Sequence, residues 1–412
     1  MKRAANSDAE MMRLALRLAR RGYGATSPNP MVGAVLVKNG KIIGRGWHRR
    51  AGLPHAEIEA LRDAERRGNR PEGATLYVTL EPCSTHGRTP PCSEAIIAAG
   101  IKRVVVGAID PNPAHAGEGL RILKRARIDV LSCKSTYQEI AQDCTRLNEA
   151  FNHWIVHRTP FVTVKAGMTL DGKIATASGE SRWISSLTSR EFAMHLRQGS
   201  DAILAGVNTI LADNPRLTVR LGGELRGMNK KRADQESDAP KQLRRIIMDS
   251  MARTPLKSNV ASDAFAALTT VVVSRHAPKQ RVVALAKRVR VLIAPAKTLK
   301  NAPTMIDLRW LMKKLGAENV TSLLVEGGGE VNGAFLEAGL AHRIAFFYGP
   351  KIIGGRNARK AVAGQGVQSF DEIIALRDLE WRKIGPDLLL TARVALREAH
   401  LKTPLDAPSF QP

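Results

Sequence analysis

The chain has 412 residues, 44% hydrophobic and 25% charged, a globular balance with room for two or three domains, which excludes a disordered or collagen-like chain. Its 63 lysines and arginines against 38 acidic residues give a formal charge of +25 with only 4% aromatics. A base-stacking platform needs aromatic faces, so the charge reads as that of an enzyme handling phosphorylated small molecules and not of a nucleic-acid binder. No apolar run approaches the ~20 residues that cross a bilayer, and the N-terminal stretch lacks the apolar core of a secretory signal, so the expected compartment is the cytoplasm.

In chain order, Ser7-Asp8-Ala9-Glu10 has the capping-box pattern, and Met11, Leu14 and Leu18 follow at helical spacing. A helix is expected to open at Ser7 and stop at Gly22. MVGAVLV (31–37) and KIIGRGW (41–47) flank Asn39-Gly40, the strongest short signal for a hairpin. A helix over 55–67, a strand at 75–80, a helix at 93–100 and a strand at 103–109 complete an alternating α/β series. Residues 134–160 read as a helix and connector. A second series has strands at 161–167, 201–207, 244–250, 269–274, 288–294, 322–328 and 343–349, with a helix over 331–338. Segment 222–243 is polar and without period, an exposed insertion, and the proline-bearing end is read as a disordered tail.

Cys83, Cys92, Cys133 and Cys144 are the only cysteines, too few for a disulfide scaffold. Pro54-His55-Ala56-Glu57 precedes Pro82-Cys83 and Cys92. One imidazole and two thiolates suit Zn²⁺ with a fourth position open, and the metal lowers the pKa of a bound water toward ~7. His-x-Glu with a later Pro-Cys and second Cys is the pattern of nucleobase deaminases, in which the Glu carries protons. The alternatives are a closed structural zinc with His48 or His86 as fourth ligand, and a Cys83–Cys92 disulfide.

Thr26-Ser27-Pro28-Asn29-Pro30-Met31-Val32-Gly33, Pro54 to Glu57, Thr79 to Cys92 and Asp110-Pro111-Asn112-Pro113 together resemble the bifunctional deaminase–reductase family of riboflavin biosynthesis. The eight residues between Cys83 and Cys92 separate this branch from tRNA and cytidine deaminases, which generally have two. Thr85, followed by His86, stands where the family commonly has a His. The resemblance continues through Val164 to Ala175, Ser178 to Ile184, His195-Leu196-Arg197, Gly206 to Thr209, Asp213 to Arg220 and Leu324 to Gly329. It is weak at 222–243 and beyond about 355.

The resemblance implies an α/β chain. A cytidine-deaminase-like α/β/α sandwich is expected over 7–150, a dihydrofolate-reductase-like α/β domain over 160–400, and a tail over 401–412. It implies Zn²⁺ on His55, Cys83 and Cys92, Glu57 as catalytic proton carrier, and Asn29, His48, Arg88, Asp110 and Asn112 as contacts to the deaminase substrate. In the second domain it implies NADPH at Gly167, Trp183, Thr209, Asp213 and the run Gly328, Glu330, Val331, Asn332, Gly333 and Ala334 around Gly329. Lys165, Ser181, Arg197, Arg216, Leu217, Arg220 and Glu326 then meet the phosphosugar. The implied activities are hydrolytic deamination of 2,5-diamino-6-(5-phosphoribosylamino)pyrimidin-4(3H)-one and NADPH-dependent reduction of its ribosyl chain. Its partners are small phosphorylated pyrimidines, with no membrane, and the assembly is a homo-oligomer. The rival reading is a zinc deaminase acting on tRNA or another nucleotide, with the second domain a scaffold.

Overall fold

The computed structural model describes residues 2–85, 90–113, 115–220, 241–297 and 305–395. The chain divides into two units between Thr159 and Pro160. Arg88, His86 (the other candidate fourth zinc ligand), most of the 222–243 insertion and the 401–412 tail lie outside the described residues.

The first unit runs α1 (Lys2–Ala19), β1 (Gly33–Lys38), β2 (Lys41–Trp47), α2 (Ala56–Arg66), β3 (Thr75–Leu80) and α3 (Cys92–Ala98). It continues with β4 (Arg103–Ala108), α4 (Glu118–Arg125), β5 (Asp129–Ser132), α5 (Cys133–Thr136), α6 (Gln138–Leu147) and α7 (Glu149–His157). The sheet order is β2-β1-β3-β4-β5, with β1 antiparallel to β2 and β3 and the β3-β4-β5 run parallel. Strand alternation sends Leu36, Val78 and Val106 to the face covered by α2, α3 and α4. It sends Val35, Tyr77 and Val105 to the face covered by α1 and α6. This is the expected three-layer sandwich. Asn39 and Gly40, at φ +51° and +73°, make the expected hairpin turn.

The Ser7–Glu10 pattern does not start the first helix, which is continuous from Lys2. Asp8 instead points inward. It accepts hydrogen bonds from the Tyr77 hydroxyl (2.6 Å) and from both Arg103 Nη atoms (3.0 Å each), tying α1 to β3 and β4. A local capping motif and a buried carboxylate have the same sequence here, and the tertiary partner decides.

The second unit runs β6 (Phe161–Thr169), β7 (Lys173–Ala175), α8 (Leu187–Gln198), β8 (Ala202–Gly206), α9 (Val207–Asp213) and β9 (Arg244–Met248). Next come α10 (Asn259–Ser262), β10 (Thr269–Ser274), α11 (Lys279–Ala286), β11 (Arg290–Ala294), β12 (Ala296–Lys297) and β13 (Met305–Ile306). It ends with α12 (Leu308–Ala317), β14 (Ser322–Val325), α13 (Gly329–Glu337), β15 (Arg343–Gly349), β16 (Arg359–Lys360), β17 (Leu376–Ile384) and β18 (Asp387–Val394). The main sheet is β11-β10-β9-β8-β14-β6-β15-β18-β17. It is parallel up to β15, and β18 and β17 close the edge antiparallel. The chain winds outward from β8 to β11 and returns to lay β14 between β8 and β6. That reversal leaves a crevice at the strands' carboxyl ends, where open α/β sheets bind ligands.

Beyond the glycine turn Gly327-Gly328-Gly329, the 360–363 segment lies across α13. A Cβ on Gly333 would stand 1.7 Å from the Ala363 carbonyl oxygen, and one on Gly329 2.2 Å from that of Lys360. The turn therefore has a packing role besides any phosphate role. We expect Gly333→Ala to force the 360–363 segment away and lower stability by about 1–3 kcal/mol, read by urea denaturation; a variant as stable as the parent refutes the contact.

Candidate active sites

The deaminase ligands come from three segments on the α2/α3 side of the first sheet. His55 precedes the first residue of α2 with extended backbone (φ −71°, ψ 165°), so its ring leaves the helix axis while Glu57 is held in the first turn. A Cβ on Gly46 would stand 2.2 Å from the Ala56 carbonyl oxygen; glycine there lets α2 lie close against β2 and fixes His55 over the sheet. Cys83 lies in the loop after β3, and Cys92 opens α3. His55 Nδ1 is 3.6 Å from Cys83 Sγ and 3.3 Å from Cys92 Sγ, and the three ligand atoms lie within 4.8 Å of one another.

Both cysteines are free thiols, so the disulfide is ruled out. His48 does not complete a closed site: its Nδ1 meets the Pro54 carbonyl at 3.1 Å and its Nε2 meets Asn29 Nδ2 at 3.2 Å. Its ring stands edge-on to His55 at 5.4 Å. Among the described residues the cluster has three ligands, which fits a catalytic zinc with its fourth position open. Hydrogen bonding from Cys92, against the pull of burial and with help from His55, brings the Cys83 thiol down to about 4, and the Cys92 amide also donates to Cys83 Sγ at 3.2 Å. Cys83 is thus poised as the thiolate that a metal requires. The same bond and burial push the Cys92 thiol up. Glu57 is 3% exposed. Burial pushes its carboxyl up to about 7, opposed by His55, reinforced by Cys83 and offset by a hydrogen bond to Cys92.

Glu81 was not singled out by sequence, yet it builds the loop beside the cysteines. Its carboxylate accepts the amides of Asp110 (3.1 Å), Gly117 (3.0 Å) and Gly119 (2.9 Å). Asp110 in turn accepts the Asn112 amide at 2.9 Å, a local Asx turn. Asn148, also missed, clamps the loop that carries Asn29: its side chain bonds the Met31 amide and carbonyl at 2.8 and 2.9 Å.

In the second unit a cavity of about 1350 Å³ opens at the carboxyl ends of β8, β9 and β14. Of the residues expected from the sequence, Ser181, Thr209, Asp213, Gly328, Gly329, Glu330, Val331 and Gly333 line it. Ser181 Oγ donates to Asp213 Oδ1 at 3.2 Å. Gly328, at φ +79°, sits beside Thr209, and Gly329, Glu330 and Val331 of the first turn of α13, whose amides have no intrahelical partner, line the opening. These features fit a bound dinucleotide phosphate.

Lys165, Arg197 and Glu326 form a separate charged group on β6, α8 and the end of β14. Arg197 binds Glu326 through two 3.0 Å bonds and donates to the Thr218 carbonyl at 3.0 Å; Lys165 Nζ is 3.6 Å from Glu326 Oε2. Burial works against the Glu326 charge, but Arg197 and Lys165 outweigh it and hold the carboxyl down at about 2.

Family comparison settles what kind of chain this is. The family described as RibD C-terminal domain matches residues 160–390, and the cytidine and deoxycytidylate deaminase zinc-binding region matches residues 5–108. The Escherichia coli riboflavin biosynthesis protein RibD is 41% identical over 387 residues, 93% of this chain and 98% of that protein. The chain belongs to the RibD family. The Actinobacillus pleuropneumoniae RibD is 38% identical, covering 93% of this chain and 94% of that protein. The solved RibD of Acinetobacter baumannii superposes with TM-score 0.79 at 32% identity, covering 95% of this chain and 99% of that chain. The Thermotoga maritima deaminase/reductase gives TM-score 0.75 at 30% identity, covering 95% and 100%. As a member of that family, the chain is a bifunctional enzyme of riboflavin biosynthesis, with a zinc-binding deaminase domain and an NADPH-dependent reductase domain. Among its described residues no helix is long and apolar enough to cross a membrane.

Not every residue expected from the RibD resemblance lies at the cavity. Gly167 is in β6 near Ser185. Trp183 is 64% exposed, so it is no core residue, and Arg190 stacks on its ring at 4.0 Å. Asn332 is buried and donates to the Ala361 carbonyl at 2.8 Å, while Ala334 lies on the next turn position of α13. Leu217 has φ +53° with its side chain in the core, which leaves only its backbone for a substrate. Arg216 is exposed and Arg220 half-buried.

Proposed function

We propose that the first domain removes the 2-amino group of 2,5-diamino-6-(5-phosphoribosylamino)pyrimidin-4(3H)-one as ammonia, and that the second reduces the ribosyl chain of the product with NADPH, giving 5-amino-6-(5-phosphoribitylamino)uracil. The observation that carries the reading is the convergence of His55, Cys83 and Cys92 with a buried Glu57 in a chain of the RibD family. When bound, zinc supplies Lewis acidity and makes water acidic near neutral pH. His55, Cys83 and Cys92 hold it and leave one position open. The Glu57 carboxylate accepts a proton as water attacks and returns it to the departing ammonia. Asn29 and His48, already hydrogen-bonded, orient the pyrimidine; Asp110, Asn112 and Arg88 receive the phosphoribosyl part. In the reductase the cofactor carries the hydride, and the protein orients and polarises. Lys165, held by Glu326, delivers the proton to the ribose oxygen, and Arg216 and Arg220 meet the phosphate. The enzyme then works in the cytoplasm as a homo-oligomer on small molecules.

Incubating the protein with the diaminopyrimidine ribotide and following products by mass spectrometry tests this. An amino-to-oxo change is expected without NADPH, and a gain of two hydrogens once NADPH is added. No change with zinc fully loaded would overturn the assignment; a first step alone would locate the failure in the reductase residues.

A further inference from the structure

Residues 214–220, which follow α9 and are expected to meet the phosphosugar, form neither helix nor strand. Asn214 and Leu217 both stand in the left-handed region, at φ +42° and +53°. Asn adopts that backbone readily. A leucine is strained there, and such a conformation persists only where its surroundings impose it. Leu217 and Val219 are buried, while Arg216 is exposed. Gln242 brackets Val219, accepting its amide at 3.2 Å and donating to its carbonyl at 3.4 Å. The carbonyls on either side of Leu217 are each held by a buried arginine. Arg197 takes that of Thr218 from α8, and Arg245 Nη1 takes that of Arg216 from β9, at 2.9 Å.

Arg245 is 1% exposed, and all five of its N–H donors are used. Nε donates to the Thr269 hydroxyl at 2.8 Å. Nη1 donates to Asp263 Oδ2 at 2.7 Å as well as to Arg216, and Nη2 donates to Asp263 Oδ1 at 2.8 Å and to the Val260 carbonyl at 3.2 Å. One guanidinium thus ties β9 to β10, to α10 and to the loop. The α10 residue Asn259 adds a second hold, donating its amide to Asn214 Oδ1 at 2.8 Å and its side chain to the Asn214 carbonyl at 2.6 Å. A buried arginine–carboxylate pair is a poor way to stabilise a sheet, because apolar residues of equal volume do as well without the desolvation. What an apolar residue cannot supply is a donor to the Arg216 carbonyl. The rigid plane of the guanidinium also fixes where that carbonyl lies relative to Asp263 and Val260, and it belongs to the peptide that sets the backbone of Leu217.

We infer that Arg245, oriented by Asp263, is a positioning residue of the reductase. It fixes the Arg216–Leu217 peptide, so that the Leu217 backbone and the side chains of Arg216 and Arg220 are set for the phosphosugar. Buried as it is, it reaches neither substrate nor cofactor itself. The inference rests on the reading of this loop as the phosphosugar site.

Steady-state kinetics of the full-length protein with 5-amino-6-(5-phosphoribosylamino)uracil, followed by NADPH oxidation, separates this from a packing role. Arg245→Met is expected to raise KM for the ribotide by about tenfold to a hundredfold, with NADPH affinity unchanged in a fluorescence titration. Ribose 5-phosphate should compete less well by the same factor. Asp263→Asn should shift KM in the same direction, and Arg245→Lys should recover part of the loss. A packing role alone lowers the folded fraction, and so the apparent kcat, with KM unchanged; that result in Arg245→Met overturns the inference. If circular dichroism shows Arg245→Met unfolded, Asp263→Asn decides, and an unchanged KM there overturns it. The double variant Arg216→Ala with Arg220→Ala tells the two readings apart. If it raises KM and the Arg245 and Asp263 variants do not, the positioning role alone is overturned; if none of them raises KM, the phosphosugar reading falls with it.

Discussion

Glu57→Gln is expected to keep zinc and lose deamination by about 10²–10⁴-fold, the usual weight of a positioned general acid–base. The side chain is buried against the ligand cluster, so a substitution of the same size leaves the packing and the three ligands in place. What it removes is a carboxyl that burial has pushed up to about 7, a group that takes and gives a proton at little cost near neutrality. An amide can hold the shape and not the proton. Zinc content by atomic absorption should match the parent, and ammonia release by a coupled assay should fall. Cys92→Ser should differ by losing zinc together with activity. Full ammonia release from a zinc-loaded Glu57→Gln protein would sink the mechanism.

Chain order and strand content were readable wherever apolar alternation or a buried apolar run met a turn signal. The β1–β2 hairpin, β3, β4 and the parallel strands of the second sheet follow from such runs. The strand expected over 322–328 stops at Val325 because Glu326 turns into the charged group with Arg197. β18 was missed although its apolar run follows the Gly385-Pro386 turn; the other missed strands lack that signal. β17 reads LRDLEWRKI, an exposed edge strand whose charges face solvent; β5 is four residues long. The zinc ligands were legible because spacing and residue type alone restrict the chemistry. Glu81 stood in the same motif, Glu81-Pro82-Cys83, but its work is to collect three amides from 29 to 38 residues away, a relation no local pattern encodes. The glycine turn was read for phosphate, and the close passage of the 360–363 segment over Gly329 and Gly333 is a tertiary fact. In the reductase half, motif matching grouped residues that the fold separates into a cavity wall and a buried charged group.

Glu326→Ala is expected to destabilise the reductase unit by about 3–5 kcal/mol, the cost of leaving buried cations without their partner. Glu326 faces both Arg197, through two hydrogen bonds, and Lys165. Removing it leaves two positive groups near each other with little water between them. The sign of the pH dependence follows from its depressed carboxyl, about 2 in the fold against ~4.3 in an unfolded chain. The folded state favours the ionised form, so this contribution is complete above about pH 5 and is lost as pH falls toward 2, worth about 3 kcal/mol over that range. Urea denaturation at pH 7 should separate parent from variant, and the gap should narrow near pH 3. Reductase kcat/KM should fall with it, because Lys165 loses the carboxylate that holds it at the β6 end, while ammonia release by the same preparation persists. Glu326→Gln gives the finer test: it keeps the shape and removes the charge, so lost reductase activity in a folded protein assigns the effect to the charge that orders Lys165 and Arg197. A variant as stable and as active as the parent at pH 7 would show that the three charges do not act together.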